Sequence, residues 1–197
     1  MTEHKASKLI IDKDDIVSSK RKFLKTMAYG SLLTLAGTDL AQATIGHFPS
    51  HKTLALQNTN TGDKLKLTYF ENGRYIKGAL QEISYILRDY HTGDMHHIDP
   101  ALIDQLYDLK MLLGVSQHPI HIVSGYRSPH TNARLRQHSH GVAKDSLHMQ
   151  GRAIDIRIAG VDTRNIRNAA ISMRNGGVGY YPRSNFVHLE TGDFRTW

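Results

Sequence analysis

Hydrophobic positions recur along this chain with two periods. Period two appears in Ala153-Ile154-Asp155-Ile156-Arg157-Ile158 and in Asn185-Phe186-Val187-His188-Leu189-Glu190, where apolar and polar residues alternate as strands require. Residues 120–123 and 178–180 read as two further strands. A hairpin is expected from 53–56 and 64–70, with the turn formers Asn58-Thr59-Asn60-Thr61-Gly62-Asp63 between them and Leu65, Leu67 and Tyr69 on one face. It reads as an edge hairpin. Helical spacing takes over in Gly78 to Tyr90, where Leu80, Ile83, Ile86 and Leu87 form one stripe. Asp99-Pro100 carries the cap and first-turn signals of a second helix, with Leu102, Leu106, Leu109, Met111 and Leu113 inward and Gly114 closing it. A third begins near Pro129. A fourth runs from Thr163 to Arg174, capped by Asp162 and ended by Asn175-Gly176-Gly177. The expected fold is α+β: a small antiparallel sheet of 120–123, 153–158, 178–180 and 186–189, with helices packed on one side.

The first 43 residues follow another logic. Met1 to Val17 is polar; Ser19-Lys20-Arg21-Lys22-Phe23-Leu24-Lys25 is basic; Thr26 to Ala36 is apolar with small residues; and Ala41-Gln42-Ala43 fits a small-x-small cleavage site. Together these read as an export signal over 1–43, leaving one domain over 44–197. The basic block resembles the twin-arginine consensus, with Lys20 in place of the first arginine. The apolar run is too short for a comfortable membrane span. Export implies the periplasm.

Composition narrows the chemistry. The chain has 197 residues, a net charge of +7 and no cysteine. Thiolate ligands, a cysteine nucleophile and a lipoprotein anchor are therefore excluded. A basic chain raises the question of nucleic acid, but there is no zinc-finger, RNP-type or helix-turn-helix pattern, and no nucleic-acid partner is expected.

What remains is a metal pattern. Ser146-Leu147-His148-Met149-Gln150-Gly151-Arg152-Ala153-Ile154-Asp155 reads S-x-H-x-x-G-x-A-x-D. His148 and Asp155 can both bind zinc, and Gly151 permits a sharp turn between them. On the later strand His188 and Glu190 share a face. Two histidines and one carboxylate form a catalytic zinc set that leaves a position open for water. Other polar clusters carry less. His91, His96 and His97 read as loop histidines, since no carboxylate stands at ligand spacing. A Ser-His-Asp hydrolase lacks its G-x-S-x-G elbow. Ser146 reads as a hydroxyl that orients a ligand.

The decad resembles the metal signature of the zinc D-alanyl-D-alanine peptidase superfamily. Ser124-Gly125-Tyr126-Arg127-Ser128, Asn132-Ala133-Arg134-Leu135-Arg136, Gly141-Val142-Ala143-Lys144, Gly177-Val178-Gly179-Tyr180-Tyr181-Pro182 and Phe186-Val187-His188-Leu189-Glu190-Thr191-Gly192 narrow it to the YcbK-like (MepK-like) murein endopeptidases. The resemblance runs from roughly Thr53 to Trp197. It implies one zinc on His148, Asp155 and His188, in a cleft on the sheet, and cleavage of cross-links between peptidoglycan peptide stems. It leaves His138 and His140 as rim or solvent groups, and sets Arg127 beside the site to hold a substrate carboxylate or carbonyl. Many relatives place a carboxylate three residues before the last ligand. Here that position is Asn185, which cannot accept a proton, so Glu190 is the expected general base, with a carboxylate that orients a ligand or forms a salt bridge as the other reading. Tyr180 or Tyr181 is expected to line the cleft or steady the oxyanion. Two alternatives stay open: a non-catalytic zinc-containing wall-binding module and a D-alanyl carboxypeptidase.

Overall fold

The computed structural model describes residues 49–139 and 141–197. The proposed export signal and His140 lie outside the described residues. Among the described residues seven strands form one sheet: β1 His51–Asn58, β2 Lys64–Glu71, β3 Arg74–Tyr75, β4 Ile120–Ser124, β5 Ala153–Ile158, β6 Gly177–Tyr181 and β7 Phe186–Glu190. Their spatial order is β3-β2-β1-β4-β5-β7-β6. The architecture is α+β, as expected, but the sheet is neither small nor simply antiparallel. The hairpin does not stop at an edge. β1 pairs antiparallel with β2 on one side and parallel with β4 on the other, through Leu56↔Ile120 and Asn58↔Ile122. Leu54 and Leu56 are buried in consequence. Parallel neighbours need a long crossover, and residues 59–119 supply it.

Four helices lie among the described residues: α1 Lys77–Ile86, α2 Pro100–Leu112, α3 Pro129–His138 and α4 Thr163–Met173. The side chains of Asp99, Ser128 and Asp162 cap α2, α3 and α4 by accepting from Ala101, Thr131 and Arg164 backbone N–H groups. α1 ends four residues before the expected Tyr90, and the Leu87 carbonyl beyond it accepts from the Tyr126 N–H. In α2, Met111 faces solvent and Ile103 takes the inward place. α4 ends on Arg174, which itself adopts the left-handed conformation, with φ 54°.

The alternation in β5 and β7 separates two faces. Ile154 pairs with Leu189 and Ile156 with Val187 on one face. These pack in a core with Leu80, Ile83, Leu102, Leu106 and Ile166, and each such side chain contributes about 1.5–3 kcal/mol. On the other face Asp155 pairs with His188 and Ala153 with Glu190. The polar residues are thus carried at fixed spacing by strands whose backs are anchored. No helix among the described residues is long and apolar enough to cross a membrane.

Candidate metal centre

The decad folds as a turn followed by a strand. Ser146 opens a 3-10 turn, Leu147–Gln150, by accepting from the His148 backbone N–H at 3.3 Å. Gly151 closes it with φ 65°, and a Cβ there would lie 2.1 Å from the His97 carbonyl oxygen. Only glycine meets both conditions. The turn brings His148 over β5, where Asp155 stands opposite His188.

Three candidate ligand atoms converge. His148 Nε2 lies 3.2 Å from His188 Nδ1 and 3.5 Å from Asp155 Oδ1, and His188 Nδ1 lies 2.9 Å from that same oxygen. All three residues are buried. Their remaining atoms are committed elsewhere. His148 Nδ1 is 2.7 Å from the Gly125 carbonyl, which only accepts, so this nitrogen carries the proton and Nε2 presents a lone pair. His188 Nε2 faces Glu190 Oε2 at 3.1 Å. The electrostatics agree. Burial pushes the His148 imidazole below its ordinary pKa, with Asp155 opposing. Burial also works against the His188 cation, but Asp155 and Glu190 outweigh it and raise its pKa to about 9. Asp155 loses stability by burial yet is held well below the ordinary carboxylate range by the two imidazoles. Without a metal, then, a proton on His188 holds the trio together. Two imidazole nitrogens and one carboxylate oxygen on pinned rings fit a zinc ion.

Glu190 sits behind His188, on the nitrogen that does not face the trio. Its other oxygen accepts from Arg195 Nε at 2.9 Å and pairs with Nη2 at 2.8 Å. Arg127 lies beside Asp155, with Nη2 3.7 Å from Oδ2, and is steadied by Ser124 Oγ and Asn132 Oδ1. Its loop is anchored from below: Tyr126 N–H donates to the Leu87 carbonyl, and Ser128 N–H donates to the buried Asp89 carboxylate at 2.9 Å. Tyr126 stacks on His96, with ring centroids 5.0 Å apart. His91 and His138 are exposed. Asn185 belongs to the β6–β7 turn, with φ 53°. Its side-chain oxygen accepts from Thr163 and its carbonyl from Arg157. Tyr180 lies under the Arg167 guanidinium, whereas the Tyr181 hydroxyl accepts from Trp197 Nε1 at 2.8 Å. Three residues absent from the sequence reading therefore matter: Asp89, Arg195 and Trp197.

An α+β domain with two imidazoles and a carboxylate converging on the polar face of its sheet has the donor set of a mononuclear metallopeptidase. Residues 47–197 match the family described as Peptidoglycan L,D-endopeptidase MepK, a peptidase family, and the chain belongs to it. The peptidoglycan L,D-endopeptidase MepK of Escherichia coli K12 is 49% identical over 149 residues, covering 76% of this chain and 81% of that protein. The probable peptidoglycan L,D-endopeptidase MepK of Haemophilus influenzae is 43% identical over 149 residues, covering 76% and 80%. No solved structure matches. The family resemblance carried by the motif blocks is thereby confirmed.

Proposed function

We propose that this chain is a periplasmic zinc endopeptidase that hydrolyses an L,D-peptide bond in peptidoglycan cross-links. The observation that carries the reading is the buried convergence of His148 Nε2, His188 Nδ1 and Asp155 Oδ1. The names of the relatives supply the substrate class and the bond. They favour an endopeptidase over a wall-binding module or a carboxypeptidase. These three atoms would hold one zinc, and the chemistry supplied there would be polarisation of a carbonyl and a lowered pKa of a water.

The chain's own residues do the rest. The Gly125 carbonyl pins the His148 ring, and Glu190 pins the His188 ring. Arg127 presents a guanidinium already oriented by Ser124 and Asn132, suited to a substrate carboxylate or carbonyl. Glu190, expected from the sequence to be the base, is assigned here to orienting His188, because its Oε2 is spent on Nε2. Residues 1–43 export the domain 44–197 by a twin-arginine-like route. N-terminal sequencing of the exported protein, with Thr44 as the expected first residue, tests this.

The activity test uses zinc-loaded protein and intact sacculi, with muropeptides separated before and after. Cross-linked dimers should disappear, and EDTA or His148→Ala should stop the loss. Persistence of all dimers with zinc bound would overturn the reading. Release of terminal D-alanine alone would reassign the enzyme as a carboxypeptidase.

A further inference from the structure

β6 carries glycine at 177 and 179, on the face it shares with Glu190 and His188. Alternation on a strand makes this a bare stripe. The stripe is not empty space. A Cβ at Gly177 would lie 2.5 Å from Glu190 Oε1, and one at Gly179 would lie 2.7 Å from Trp197 Nε1 and Cε2. The glycines therefore make room for a carboxylate and an indole.

The indole is fixed in that seat. Residues 195–197 run along β6: Val178 N–H donates to the Arg195 carbonyl, Trp197 N–H to Val178, and Tyr180 N–H to Trp197. Trp197 Nε1 donates to the Tyr181 hydroxyl, and Tyr181 stacks on Phe186 with centroids 4.6 Å apart. The Trp197 and His188 ring centroids are 5.3 Å apart. Even so, Trp197 is 47% exposed. Scattered exposed aromatics are ordinary. This one is held by three hydrogen bonds of its own, and its ring lies next to a proposed metal ligand. The Arg195 guanidinium lies 4.9 Å from the indole centroid, and the rest of the exposed indole is a rigid apolar surface of the kind that seats an extended, partly aliphatic chain.

We infer that Trp197, carried on the 195–197 strap and supported by Tyr181 and Phe186, is a substrate-binding wall against which the aliphatic part of a peptidoglycan stem packs. The inference rests on the endopeptidase reading for the identity of the substrate. Trp197 is the only tryptophan in the chain, so its emission reports on this wall alone.

Zinc-loaded protein would be titrated with a soluble stem tetrapeptide, following tryptophan emission and, in parallel, heat by calorimetry. The emission should change and saturate with the calorimetric Kd. Steady-state rates on a purified cross-linked dimer would then be compared for wild type, Trp197→Phe and Trp197→Ala at verified zinc content. Trp197→Ala should raise KM about tenfold with kcat within about twofold, and Trp197→Phe should recover most of the loss. Emission that stays constant while calorimetry shows binding overturns the inference, and needs no variant. An unchanged KM, or a fall in kcat alone, also overturns it, as does a stem peptide that does not bind. A wild type that holds zinc and binds the stem but cuts no cross-link sinks the endopeptidase reading, and the emission titration still decides the role of Trp197.

Discussion

On the proposed reading, zinc would compete with one proton at this site, and the competition would have a definite pH course. In the metal-free protein His188 titrates near 9 against an ordinary value of 6.5, because Asp155 and Glu190 outweigh the burial of the ring. Below 6.5 the folded and unfolded chains both hold the proton, and its full contribution to stability is present. Between 6.5 and 9 the unfolded chain releases it while the folded chain keeps it, so the contribution drains away, and above 9 it is gone. The amount is about 3 kcal/mol, taken at about 1.4 kcal/mol per tenfold. His148 is already neutral and Asp155 already ionised near neutrality, since both are shifted downward. A single proton must leave for zinc to bind. Apparent zinc affinity should therefore rise about tenfold per pH unit from 7, and about a hundredfold by 9, then flatten. Competition against a chromophoric chelator at pH 7, 8, 9 and 10 measures this. Calorimetry in buffers of different ionisation enthalpy counts the protons. A flat profile between 7 and 9, or a slope of two, would refute the arrangement of charges described here.

Glu190→Gln separates orienting from proton transfer: zinc affinity should fall about ten- to a hundredfold, with turnover per bound zinc little changed. A base would show the reverse, a loss of about 10²–10⁴ in kcat at full zinc occupancy. Arg127→Lys keeps the charge and loses the planar fork, so KM should rise about tenfold with zinc content constant. Asp89→Ala removes the buried acceptor of the Ser128 and His91 N–H groups and should cost about 3 kcal/mol by denaturant unfolding. Gly151→Ala meets the His97 carbonyl at a positive φ and should lower stability by about 1–3 kcal/mol in the same assay, together with zinc affinity.

The site was more legible in the sequence than the sheet. Asp155 and His188 declare themselves by alternation within their own strands, and Ser146 and Gly151 mark the turn that delivers His148. Caps at Asp99 and Asp162 were equally local. The parallel pairing of β1 with β4 was not readable, because its partners are about sixty residues apart and nothing in either strand specifies a neighbour. Asp89 and Arg195 hide for a related reason: each is an ordinary charged residue whose partner is set by tertiary approach. Gly177 and Gly179 did carry a signal. Two glycines on one face of a strand mark a place where something else lies close, but the sequence does not say that it is Glu190 and Trp197.

β5 and β7 are interior strands, each hydrogen-bonded along both edges. Segments so enclosed exchange their amides only when the whole domain opens, unlike loops and frayed ends. Two of the three proposed ligands thus stand in the slowest-opening part of the molecule. Chelation should leave the amide-exchange protection of these strands intact, and a stripped protein should reload without refolding. Metal supply could then switch the enzyme on and off within a single folded lifetime.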